Sequence, residues 1–212
     1  MKTENQSIHK QLLRPISIVM MAGIMIASYP VQSFSAGNTN ISSTISTKKL
    51  AYHSQGTYKS DRFRFQFNYS PKDFVVNYQT SRRSSDVNLA TVDIWTKQHA
   101  QRIKAGVYEG GTEYPANVQV NVYKNSQRFP LLTWIQQSQQ FPADRQFKTV
   151  KIAGRNAIQF QASGLYENTH IAVINPKNSQ IIIVTLSQIG SGNNDAIYRK
   201  AYEQVLKSLK FI

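Results

Sequence analysis

The chain has 212 residues, 41% of them apolar and 17% charged, so it can bury a substantial core and is not disordered throughout. Basic residues outnumber acidic ones 25 to 11, a net charge of +14 that favours anionic partners. The longest basic runs, Lys48-Lys49, Arg82-Arg83 and Arg199-Lys200, are only pairs, which argues against specific nucleic-acid binding. Cysteine is absent, which excludes disulfides, thiolate metal sites, cysteine nucleophiles and a lipidated cysteine.

Residues 1–35 have the pattern of a cleavable signal peptide. Lys2, Lys10 and Arg14 precede a twelve-residue apolar run, 16–27, and Pro30, Ser33 and Ser35 follow it. The run is short of the roughly 20 residues a membrane span needs, so cleavage after Ser35 is expected and no transmembrane segment in the mature protein. Residues 36–56 are rich in Ser, Thr and Asn and read as a flexible tether. A single domain over 57–212 is expected. Export of a cysteine-free domain suits a periplasm or a thylakoid lumen.

Within that domain, Phe63, Phe65, Phe67 and Tyr69 alternate with polar residues, the period of a strand with one buried aromatic face. Ser70-Pro71 predicts a turn and 74–78 a second strand. The polar run 79–86 reads as an exposed loop. Residues 88–96 form a further strand burying Ala90, Val92 and Ile94, with Trp95 either near a ligand or covering loop, or at a core edge. Residues 98–104 suit a helical turn, stopped by Gly106, Gly110 and Gly111. The glycine-rich loop 105–115 carries Tyr108, Glu109, Glu113 and Tyr114, and Val118, Val120 and Val122 then alternate as a strand.

Pro130 suits the first position of a short helix carrying Leu131, Trp134, Ile135 and Ser138 at helical spacing, closed by Pro142. From Phe147 to Gln188 three β-like runs are separated by turn signals at 154–156 and 175–179, with a further break near 164–168. Finally, Tyr198, Ala201, Tyr202, Val205, Leu206 and Leu209 make an apolar helical stripe capped by Asn194 or Asp195. The expected architecture is α+β. It comprises a single antiparallel sheet of about six or seven strands, sandwiched with a short middle helix and a C-terminal amphipathic helix.

Chemistry is sparse. No HExxH, GxSxG, P-loop or EF-hand pattern occurs, so no catalytic, cofactor-binding or metal site is expected. Arg82, Arg83, Lys97, Arg102 and Lys104 flank the Trp95 strand and, with Trp95, are the candidate partner-binding residues; the alternative is an ordinary solvated rim. Two other functions stay open. One is a metal-dependent or hydrolytic enzyme using His99, Asp93 and the Glu109/Glu113 loop. The other is a small-ligand binder whose pocket is lined by Trp95, Trp134 and tyrosines.

The opening Phe63-Arg-Phe-Gln-Phe-Asn-Tyr-Ser-Pro-Lys-Asp-Phe74, the meander around Gly154 and Gly164, and the ending Tyr202-Glu-Gln-Val-Leu-Lys-Ser-Leu-Lys-Phe211 resemble the PsbP-like group of exported α+β sandwich domains. That group includes the extrinsic proteins of the oxygen-evolving photosystem and the related DcrB-type proteins. The resemblance covers most of 58–212. It implies a binding or assembly role at a membrane-associated protein complex, generally without catalysis; the net charge adds an anionic surface as the other candidate partner. No functional residue carries over, and the 105–115 loop departs from the group.

Overall fold

A computed structural model describes residues 55–81, 83, 86–109, 114–141, 146–163, 166–189 and 193–212. These fall within one compact unit, Lys49–Ile212. The expected leader and all but the end of the tether lie outside the described residues, as do Arg82 and Glu113.

The chain forms strands β1 (Gly56–Ser60), β2 (Phe65–Tyr69), β3 (Phe74–Thr80) and β4 (Asn88–Thr96), then helix α1 (Lys97–Lys104) and β5 (Asn117–Tyr123). Helix α2 (Leu131–Gln137) leads to β6 (Lys148–Ile152), β7 (Arg155–Ser163), β8 (Glu167–Ile174) and β9 (Ile181–Gln188), and α3 (Asn193–Ser208) leads to β10 (Lys210–Phe211). Seven strands make the main antiparallel sheet, in the order β3-β4-β5-β9-β8-β7-β6. The 147–188 stretch is a four-stranded meander, and the break expected near 164–168 separates β7 from β8. Its first hairpin turns on Ala153 and Gly154 at φ 51° and 73°, the left-handed pair that a tight two-residue connection requires.

The structure adds a second sheet of three strands, β1-β2-β10. The aromatic strand expected in the single sheet lies here, with Tyr58 opposite Phe67 and Phe65 opposite Phe211. The reason is packing. Phe63, Phe65 and Phe67 are all buried, and they join one core with Val92, Ile94, Val120, Val184, Tyr198 and Val205. The small sheet and α3 therefore cover one face of the main sheet together, each large ring contributing about 1.5–3 kcal/mol by leaving water. The α3 stripe is buried as expected at Tyr198, Ala201, Tyr202, Val205 and Leu209.

The register assigns every strand residue to a face. Val92, Val120, Val184 and Ile171 share a row on this inner face. The outer face is divided. Near α2, Tyr123, Ile181, Ile183, Ala172 and Phe160 form a second apolar core with Trp134, Ile135 and Phe141. Trp134 is oriented by its indole N–H, which donates to the Lys124 carbonyl at 3.1 Å. Helix α2 starts one residue later than expected, with Pro130 as its N-cap, and ends at Gln137 with Ser138 extended.

Candidate functional site

Two parts of the structure gather the candidate residues. The first is α1 and the turn after it. Thr96 closes β4 and its hydroxyl caps α1 by accepting from the His99 N–H at 3.2 Å. Arg102 and Lys104 in the last turn complement the negative end of the helix. Gly106 at φ 71° then ends it, the amides of Ala105, Gly106 and Val107 returning to the helix carbonyls.

His99 turns inward. Its ring stacks on Tyr198 of α3 at 5.7 Å and its Nδ1 lies 2.8 Å from the Tyr198 hydroxyl. That hydroxyl also accepts from the Thr96 N–H at 2.9 Å, which leaves its proton for an unprotonated Nδ1. Burial, helped by the Arg102 charge, lowers the His99 pKa, and burial raises that of Tyr198. Both shifts favour the neutral pair. His99 thus bolts α1 to α3.

Beside this pair the aromatic residues form a chain that returns to Tyr198 through Trp95. The Arg102 guanidinium lies over the Tyr108 ring at 5.4 Å, Tyr108 stacks on Tyr114 at 5.3 Å, and Tyr114 meets Trp95 at 6.4 Å. Trp95 is itself buried, edge-on to Tyr198, while Tyr114 is 44% exposed and neighbouring Val107 41%. Lys97, Arg102 and Lys104 are all exposed on α1, Arg102 alone lying over the stack, with Glu109 the carboxylate on the turn that follows. Sequence reading named both tyrosines but not their stacking on Trp95 and Arg102. The available signal was the pairing of Tyr108 and Tyr114 across a glycine pair.

Arg83 lies elsewhere. It is exposed in the loop between β3 and β4, held by Ser81, whose hydroxyl accepts from the Arg83 N–H at 3.1 Å and contacts Asp86. That loop enters β4 at Asn88 and α1 leaves it at Thr96, so about 27 Å of strand separates Arg83 from the other cations. Among the described residues, Arg83 is thus set at the far end of β4 from Lys97, Arg102 and Lys104.

The second part is the polar half of the outer face. One continuous cross-strand row runs Asn77, Asp93, Gln119, Thr185, His170, Phe160. Gln119 donates to Asp93 at 2.8 Å, and His170 Nδ1 lies 2.9 Å from the Thr185 hydroxyl. In the adjoining rows Thr91 donates to Asn121 at 2.7 Å and Ser187 to Asn168 at 2.6 Å. Burial pushes the Asp93 carboxyl above its usual range, against the Gln119 hydrogen bond. His170, stacked on Phe160 at 4.8 Å, is lowered to about 4 by burial.

Asp93 therefore sits on the outer face while His99 is engaged with α3, which packs on the inner one. Among the described residues no group of three His, Asp or Glu side chains could hold a metal ion. Nor do Trp95 and Trp134 share a cavity: Trp95 belongs to the first core and Trp134 to the second.

No family model matches the chain, and no curated protein matches it. A search of solved structures finds the solution structure of cyanobacterial PsbP (CyanoP) from Synechocystis sp. PCC 6803, at 13% identity, covering 77% of this chain and 96% of that one with a TM-score of 0.43. At that identity the likeness to this structure is one of fold alone. No helix among the described residues is long and apolar enough to cross a membrane.

Proposed function

We propose that the protein is an exported, non-catalytic accessory module that docks on the acidic face of a protein in a membrane-associated complex. The docking surface is α1 with the Tyr108–Tyr114 stack. The observation that carries this reading is the chain Arg102, Tyr108, Tyr114, Trp95, which joins an exposed cation to a buried indole through two stacked rings. Arg, Tyr and Trp are the residue types that dominate binding energy at protein interfaces, and here packing holds them in place before a partner arrives. Lys97, Arg102 and Lys104 supply the charge that steers an acidic partner.

Crosslinking pull-down of the tagged protein, at low and high salt, tests this. Tyr114→Ala is expected to reduce partner recovery about tenfold, as hot-spot truncations do. The reversal Arg102→Glu with Lys104→Glu is expected to reduce it at low salt in particular. Undiminished recovery from both variants overturns the reading. For export, the mature protein is expected to begin at Ala36 by mass spectrometry, and an intact Met1 in exported material refutes it.

A further inference from the structure

At the opposite end of the main sheet from α1, the β6–β7 and β8–β9 turns and the start of β10 converge on a groove of about 420 Å³. Its lining includes Arg155, Lys177 and Lys210, with Pro176, Leu209 and Phe211, and no carboxylate lines it. Each cation comes from a different, firmly held segment. Arg155 opens β7 opposite Ile152 across the tight Ala153–Gly154 turn. Lys177 sits in the β8–β9 turn, where its N–H donates to the fully buried Asn175 side chain at 2.9 Å. Asn175 in turn donates to the Phe63 carbonyl at 2.7 Å, which ties this turn to the one joining β1 and β2. Lys210 is placed by β10, paired with Gln66 of β2.

All three cations are exposed, and none is in an ion pair with a described carboxylate. Asp61, on the adjoining β1–β2 turn, is taken by Lys59 at 2.8 Å. The site is thus three uncompensated charges around a partly apolar floor. Leu209 is buried in that floor and Phe211 partly so.

We propose that this groove is a binding site for the phosphate headgroup of an anionic phospholipid. The charge arrangement suits one phosphodiester, and the Leu209–Phe211–Pro176 floor suits the glycerol and first methylenes beneath it. A free phosphate gains nothing from an apolar floor and is better held by buried, converging hydrogen-bond donors than by exposed lysines. For an acidic peptide that binds by main-chain pairing, β10 offers only two residues of strand edge. The site is independent of the α1 surface, so either can fail without the other.

The test is co-sedimentation with vesicles of phosphatidylcholine alone or with about a third phosphatidylglycerol, all variants sharing the same N-terminus so that residues 1–54 contribute equally. Binding is expected to need the anionic lipid. Lys177→Gln and Lys210→Gln are each expected to lower the partition about fivefold, and Arg155→Gln with them to lower it further. The pair Lys97→Gln and Lys104→Gln, the same loss of charge at the other end, is expected to stay within about twofold of wild type. Thermal melts of each variant confirm the fold, and these exposed positions leave the core untouched. An equal loss from the α1 pair overturns the proposal in favour of diffuse attraction. So does a response of the Lys177 and Lys210 amide resonances to inorganic phosphate, or to an acidic peptide, without vesicle binding.

Discussion

The two faces of the main sheet are built from the same strands by different chemistry. On β9, Ile182, Val184 and Leu186 point inward to a uniformly apolar layer sealed by α3 and the small sheet. Their chain neighbours Ile181 and Ile183 meet α2 on the outer face, but Thr185 joins a row of hydrogen-bonded side chains. Apolar contact is non-directional and tolerates small shifts, whereas a buried polar group is stable only if a partner meets it at hydrogen-bond distance. The inner face therefore carries most of the stability. The outer row makes that stability depend on pH.

The largest expected effect breaks the comparison at its strong side. Ile182→Ala removes a fully buried side chain from the inner layer and is expected to cost about 2–5 kcal/mol in urea unfolding. A cost below that of Thr185→Val would show that the inner face is not the dominant layer. The second prediction concerns acid. His170 is buried neutral with its pKa lowered to about 4, so between about pH 6.5 and 4 the unfolded chain takes up a proton that the folded one refuses. Stability should fall as pH drops through that window, by about 3 kcal/mol from this residue, and level off below it. His99 adds to the fall in the same direction. In His170→Gln the dependence should flatten, and a slope unchanged from wild type would remove the histidine from the account.

The smallest effect has the opposite sign. The Asp93 pKa is raised in the fold, so what the residue contributes is present at low pH and lost as pH rises through its folded value. Asp93→Asn keeps the acceptor for Gln119 and drops the buried charge. The variant should melt higher than wild type at neutral pH, with the gap closing in acid. A lower melting temperature at pH 7 would mean that the ionised carboxylate is favoured where it stands.

Local signals were legible in the sequence. The bounds of β4 followed from the alternation of Ala90, Val92 and Ile94, and the α3 stripe from its 3.6-residue period, because both patterns are set by residues close in the chain. The small sheet was not legible. Its third strand is two residues long, and nothing in Lys210-Phe211 announces that it pairs with Gln66 and Phe65. Trp95 shows the limit of parity: it shares its phase with Thr91 and Asp93, yet the end of the sheet buries it against Tyr198 and Tyr114. The cations divide in the same way. Sequence proximity groups Lys97, Arg102 and Lys104 with Arg82 and Arg83, although Arg83 lies at the far end of β4, whereas Arg155, Lys177 and Lys210 are far apart in the chain and meet only through the fold.

The closure of β10 onto the first hairpin has a kinetic side. Arg64 and Ile212 exchange two hydrogen bonds, the Arg64 Nε–H donating to the Ile212 carbonyl at 2.8 Å and the Ile212 N–H to the Arg64 carbonyl at 3.0 Å, across 148 residues of sequence. Such distant partners find each other late, since the loop between them must close first. Until they do, β2 presents a bare flank of backbone amides and carbonyls beside its phenylalanines. A second, half-folded copy donating its own Lys210–Phe211 there would yield an exchanged dimer, so dilute refolding should favour the monomer and crowded refolding the swap.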